Sequence, residues 1–246
     1  MFLAALSPAR ELAQLPPPFI PSYLTLDGLR TLFTETDIVH WLTNSLVVST
    51  VAVVGHVVLC SITGYGFARL RFRGRNMAFL AVMATVMIPV QLLMIPTYLL
   101  FSRIGILDAL AVAFVPWLVS ACGIFLMRQF FLSIPAELEE AAALDGCNRF
   151  TTFVRMVLPL ARPALTTLAI FTLLGAWNDL LWPLVAINSD SQFTVQLGIA
   201  NFQGARRTDW SLLMAGNLLA TLPLLLFFTV AQRQFVATMT MSGLKG

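Results

Sequence analysis

The residues able to make or break bonds are few and scattered. The chain of 246 residues holds two histidines, His40 and His56, and three cysteines, Cys60, Cys122 and Cys147, with no CxxC pair among them. A metal centre or a disulfide framework needs tighter spacing, so neither is indicated, and the thiols read as small apolar fillers. Distant histidines and isolated thiols do not assemble a nucleophile with its base. The single lysine, Lys245, is followed by Gly246, which excludes the GxxxxGK[ST] phosphate loop. No catalytic residue and no metal ligand are therefore expected. His56 sits in an apolar run without ionisable partners, so it reads as a hydrogen-bonded packing histidine rather than a proton relay.

The elements that position these residues are dictated by composition. Hydrophobic residues make up 58% of the chain, charged residues 11%, and the mean hydropathy is +0.83. A soluble domain carries about 25% charged residues, so water alone cannot be the solvent. Fourteen of the 15 cationic residues are arginine and they form no continuous basic stripe, which argues against nucleic acid as a partner. Five apolar runs are long enough to cross a bilayer: 44–67, 77–100, 109–131, 164–187 and 210–231. None alternates as a barrel strand does, and lipid demands internally paired backbone. The expected fold class is an all-α membrane protein with about five transmembrane helices.

Arginine placement predicts the orientation. Arg69, Arg71, Arg73 and Arg75 follow the first run, Arg128, Arg149, Arg155 and Arg162 surround the long loop after the third, and Arg233 and Lys245 follow the fifth. These ten mark the cytoplasmic side and place the C-terminus inside; Arg10, Arg30, Arg103, Arg206 and Arg207 lie opposite. Residues 1–43 then form an external segment in which Pro16, Pro17 and Pro18 exclude helix, followed by a transmembrane domain over 44–246. Pro89, Pro96, Pro116, Pro183 and Pro223 interrupt four of the runs and predict kinked helices whose freed carbonyls are met by neighbours.

The most informative stretch is the cytoplasmic loop 132–163. Pro135 suits a first helical turn, Glu137, Glu139 and Glu140 favour the positive end of the helix dipole, and Ala141 to Leu144 propagate the helix until Gly146 stops it. A second helix from about Asn148 to Val157 is expected to end before Pro159. Leu138, Ala141, Ala142 and Asp145 recur at helical spacing and give a face with little bulk, suited to a protein groove.

Glu140-Ala141-Ala142, three residues, Gly146, nine residues and Met156-Val157-Leu158-Pro159 resemble the EAA-xxx-G-(nine)-I-x-L-P signature of permease subunits in binding-protein-dependent ABC importers. Met156 stands where that family usually has Ile, a change of similar volume. NSLVVS at 44–49, GYGFARLRFRGR at 64–75, WNDLLWPL at 177–184, QRQFV at 232–236 and SGLKG at 242–246 resemble landmarks of the carbohydrate branch, the maltose-importer type. Members of that family have six spans, so the resemblance implies one further span before the Pro-rich stretch and a type I importer permease core.

The resemblance further implies ATPase-coupling residues: Glu140, Ala141, Ala142, Asp145, Gly146, Met156, Leu158 and Pro159. The helix they form would dock on a separate ATPase dimer, which carries the ATP and Mg; no cofactor is bound by this chain. The other implied partners are a second homologous permease, an extracytoplasmic solute-binding protein, a sugar or sugar-like solute, and the inner membrane of a prokaryote. The tail from Gln232 to Gly246 is expected to touch the ATPase. Asp179, some 15 residues into the fourth run from Ala164 and so roughly 22 Å deep along a continuous helix, is the acidic residue within a span. With Asn178, Trp177, Trp182, Gln91, Tyr98 and Asn217 it is a candidate for the translocation path, against a structural role in locking the helix. The rival is an ion-coupled secondary transporter, which would show repeated halves and ion-coupling residues at mid-membrane.

Overall fold

A computed structural model describes residues 2–12, 14, 18–204 and 208–243, with side chains described as far as Thr229. Pro16, Pro17, Arg206, Arg207 and Lys245, the side chain of Arg233, and the tail contact expected from Gln232 onward lie outside that description. The described chain is helical, with no strand and one isolated bridge between Gln203 and Thr208. After two single turns come α1 (Asp27–Glu35), α2 (Ile38–Arg69), α3 (Arg75–Ala84), α4 (Val90–Arg103), α5 (Leu110–Phe114), α6 (Ala121–Ser133) and α7 (Ala136–Leu144). Then follow α8 (Arg149–Thr152), α9 (Leu158–Leu160), α10 (Arg162–Trp177), α11 (Leu181–Ala186), α12 (Val195–Ala200) and α13 (Trp210–Gly243).

Two helices are long and apolar enough to cross a membrane unaided, Ile38–Arg69 and Trp210–Thr229. Three bent pairs also qualify: Arg75–Met87 with Val90–Arg103, Leu110–Trp117 with Ala121–Ser133, and Arg149–Leu160 with Arg162–Trp177, bent by 104°, 41° and 76°. Counting each pair once gives five spans among the described residues. Proline causes the first break and precedes the second. Pro89 drives Ile88 to φ −89°, ψ 116°, out of helical space, and Pro116 sits in a tighter 3-10 turn over Val115–Trp117, after which the chain turns extended at Ser120.

The fourth run departs from expectation. It is not one helix over 164–187, because α10 stops at Trp177 and the chain is non-helical at Asp179 and Leu180 before α11. The rise of a continuous helix therefore cannot set the depth of Asp179. The second loop helix also differs. Instead of ending before Pro159, the backbone opens into a π-helical turn at Phe153–Val157, and Leu158 stays helical at φ −62°, ψ −44°. The wider turn accommodates the proline without leaving the helical region.

The chain divides into two compact units. One comprises Met1–Val48, Phe101–Ala113 and Trp177–Ala231. Its core is built on Trp41, which packs against the rings of Phe193 and Phe202 at 6.2 and 6.0 Å and against Gly198. Asn44 donates from Nδ2 to the Ser191 and Phe193 carbonyls, and Ser45 Oγ accepts from the Val195 amide at 2.8 Å. Asp108, at φ +58°, accepts through Oδ1 from the Asn188 and Ser189 amides at 2.8 Å each and through Oδ2 from the Ser189 hydroxyl. Aspartate tolerates that left-handed backbone better than most residues.

The second unit comprises Ser49–Leu100, Phe114–Ala176 and Gln232–Gly246. Cys60, Met127, Phe131, Phe153, Val157 and Leu168 lie in its core. Gly64 allows α2 to approach α6 closely, since a Cβ there would lie 2.8 Å from Met127 Cβ and 3.0 Å from the Arg128 amide nitrogen. Small residues and buried hydrogen bonds supply the cohesion, as lipid gives apolar side chains no reason of its own to leave it.

Candidate functional site: the hairpin between α6 and α10

The hairpin starts at Ile134, which is buried, and at Pro135, whose extended backbone (φ −57°, ψ 135°) leads into α7. Glutamates in the first turn complement the helix dipole. The helix closes through Asp145, Gly146 and Cys147, whose amides return to the Ala141, Ala143 and Ala142 carbonyls. Gly146 has φ +82° with no atom near the position of a Cβ, so the turn requires its backbone freedom and nothing else. Asn148 then caps α8, accepting from the Thr151 amide at 2.8 Å.

The rotation of α7 is set by one side chain that sequence reasoning used only for its charge. Glu139 pairs with Arg69, the last residue of α2, at 2.9 Å from Oε1 to Nε. Its Oε2 accepts from the Tyr65 hydroxyl at 2.9 Å. The same guanidinium donates to the Phe131 carbonyl at 2.8 Å and to the Ile134 carbonyl. Tyr65 is held between Phe131 and Phe153, with ring centroids 5.8 and 4.7 Å away. The charged groups are 15% and 18% exposed, so the pair is shielded from solvent on both sides. A signal was available in the sequence: an arginine at the end of a span and a glutamate in a later helix between spans are partners by charge, though nothing in their spacing joins them.

This contact splits the face expected of Leu138, Ala141, Ala142 and Asp145. Ala142 is turned inward beside Glu139 and is buried, whereas Leu138, Ala141 and Asp145 are exposed. Leu144 is 90% exposed, an uncovered apolar group at the outer end of α7. Glu140 and Glu139 line a cleft of about 500 Å³ together with Arg69, Arg71, Arg75 and Arg149. Of the remaining residues expected to couple, Met156 and Leu158 are half-buried and Val157 between them is fully buried, while Pro159 is exposed.

Among the candidates for a translocation path, the two tryptophans have tasks within the fold. Pro116 lacks an amide hydrogen, which leaves the Val112 carbonyl without its helical donor, and Trp182 Nε1 donates to that carbonyl at 2.8 Å. Trp177 Nε1 donates at 3.0 Å to the Ala220 carbonyl, one residue beyond the Leu219 carbonyl that Pro223 deprives of its partner. Both indoles are buried. Asp179 Oδ1 lies 3.4 Å from the Trp182 amide at the start of α11, and exposed Asn178 accepts from Gln196 Nε2 at 3.4 Å. Asn217 donates to its own helix at the Leu213 carbonyl. These residues lie in the first unit; exposed Gln91 and half-buried Tyr98 lie in the second.

His56 is hydrogen-bonded at both ring nitrogens, at 2.6 Å to the Trp117 carbonyl and 3.2 Å to Ser120 Oγ. Of the three cysteines, Cys60 is buried, but Cys122 and Cys147 are exposed and so do not fill the interior as expected. Cys147 follows the open Gly146 turn, and Cys122 lies on the outer side of α6, where a polarizable apolar group needs no cover. Among the described residues no group of three or more His, Cys, Asp or Glu is placed to hold a metal ion.

The sequence profile of the family described as binding-protein-dependent transport system inner membrane component matches residues 40–241. The chain belongs to that family. This inner-membrane component is 35% identical, over 100% of its length and 89% of the relative's, to the arabinooligosaccharides transport system permease protein AraQ of Halalkalibacterium halodurans. It is 33% identical, over 96% of its length and 86% of the relative's, to the sn-glycerol-3-phosphate transport system permease protein UgpE of Pectobacterium atrosepticum. Its fold is shared with a chain of a bacterial ABC transporter involved in the import of the acidic polysaccharide alginate, with a TM-score of 0.84 at 21% identity, covering 95% of this chain and 88% of that one. The expected all-α permease architecture is thus the observed one.

Proposed function

We propose that this inner-membrane component is one of two membrane-spanning subunits of an ABC importer that moves a sugar or sugar-like solute into the cytoplasm, driven by a separate ATPase dimer. The observation that carries the reading is the hairpin itself. A short helix is anchored to the end of α2 on one side and leaves Leu138, Ala141, Leu144 and Asp145 uncovered on the other. A groove on an ATPase that accepts this face would move the hairpin as a rigid body. Glu140 and Gly146 orient the docking helix, and Met156, Leu158 and Pro159 fix its return toward the membrane.

The remaining assignments complete the reading. Loop 132–163 and the C-terminus face the cytoplasm, residues 1–43 lie outside, and the domain over 44–246 spans the membrane. An extracytoplasmic binding protein delivers the solute. Cargoes named for the relatives, arabinooligosaccharides and sn-glycerol-3-phosphate, support a polyhydroxylated solute. Asn178, Asp179, Gln91, Tyr98 and Asn217 are the polar groups offered to the path, with Trp177 and Trp182 supporting the backbone around it. ATP and Mg reside on the partner.

The test is uptake into proteoliposomes containing the purified complex, with ATP inside or absent and with the ion gradient intact or collapsed. Uptake that needs ATP and ignores the gradient is expected. Uptake that follows the gradient and proceeds without ATP refutes the reading in favour of secondary transport.

A further inference from the structure

Among the described residues, polar side chains tie the hairpin to the spanning helices at one place. Among the side-chain contacts of α7, those reaching another element run from Glu139 to Arg69 and Tyr65, both on the last turn and a half of α2. Arg69 adds bonds to the Phe131 and Ile134 carbonyls, at the end of α6 and the entry to the hairpin. A single guanidinium thus joins three segments: the end of α2, the end of α6 and α7. At the far end of α7, Gly146 is open and touches nothing that a side chain would meet. The polar tie thus lies at the middle of α7, ahead of an open glycine turn.

That asymmetry matters for transmitting motion. A helix held only by apolar contact slides, because dispersion contacts are weak singly and re-form one turn on. A shielded ion pair flanked by hydrogen bonds from Tyr65 to the carboxylate and from the guanidinium to two carbonyls does not slide, since displacing it strands a charge away from water. We propose that Arg69, Glu139 and Tyr65 form the mechanical joint through which displacement of the docking helix enters α2. They are positioning residues: they touch neither nucleotide nor solute, and act by making the hairpin and the end of α2 move together. The proposal rests on the importer reading above.

The experiment uses the assembled complex in proteoliposomes and measures ATP hydrolysed per solute taken up. E139Q keeps an acceptor for Tyr65 but loses the charge; Y65F loses the hydroxyl and keeps the ring. Each is expected to assemble, to hydrolyse ATP at the wild-type rate or faster, and to raise the ratio by about tenfold, as expected when a coupling near 1.4 kcal/mol is lost. R69E is expected to do the same more severely, and R69E/E139R to recover part of the coupling, since the swapped pair lacks the two carbonyl bonds.

A wild-type ratio in both E139Q and Y65F overturns the joint, as does a loss of hydrolysis and uptake in equal proportion without recovery in the double variant. Wild-type complex that takes up solute without ATP refutes the importer reading itself, a result separate from any behaviour of the variants.

Discussion

Substitution at Gly146 isolates the backbone contribution to the turn that closes α7, the helix proposed to dock. Its φ is +82° and no atom lies within 4 Å of where a Cβ would sit, so within this chain a side chain costs conformation and not space. An ordinary L-residue in left-handed backbone costs roughly 1–2 kcal/mol, asparagine less and a β-branched residue more. Such a cost lowers the population of the observed turn by roughly 5- to 30-fold relative to relaxed alternatives. Because Ala142 and Glu139 anchor α7 upstream, the strain is expected to misplace the C-terminal turn while the bundle assembles normally. Uptake per ATP hydrolysed, measured in proteoliposomes, is expected to fall in the order Gly, Asn, Ala, Val. Equal losses for Asn and Val would refute backbone strain and point to bulk meeting a partner's surface. Failure of the complex to assemble would show the turn to be a folding element.

Three further outcomes follow from the packing. G198A would press a methyl into Cε3 of buried Trp41, a ring hemmed in by Phe193 and Phe202, so a loss of about 1–3 kcal/mol is expected in denaturant titrations followed by tryptophan fluorescence. W182F strands the buried Val112 carbonyl and is expected to cost about 1–3 kcal/mol by the same measurement, with unchanged stability refuting the carbonyl-capping role. The Asp108 carboxyl, outside the spanning segments, is held below its ordinary value first by the Ser189 hydroxyl and then by the Ser189 and Asn188 amides. A depressed folded-state value means a contribution present above the unfolded value and lost as pH falls through the folded one. The stability advantage of wild type over D108N should therefore be full at neutral pH and vanish in acid; an advantage that grows on acidification would contradict it.

The comparison of sequence with structure turns on which forces are local. Runs of 20 or more apolar residues specify helical backbone, continuous or bent, because backbone in lipid must pair within its own segment. The helix from Ala136, the Gly146 stop and the Asn148 start were equally legible, since dipole, cap and left-handed turn involve neighbours in the chain. The break at Pro89 follows from a missing amide hydrogen and a crowded preceding residue.

Four features were decided in three dimensions. Proline announces that a carbonyl will be orphaned but not who meets it; Trp182 answers from 70 residues away. The fourth run, expected as one helix to residue 187, breaks at Asn178 and Asp179, one turn before Pro183, and whether a proline kinks a helix or splits it depends on the neighbours that meet the freed groups. Pro159 was expected to end a helix and instead sits beyond a π-helical turn. Helical spacing could list the residues of α7 that share a face, but which face turns inward depends on Arg69, 70 positions before Glu139 and drawn to it by a charge that only the folded chain shields from water.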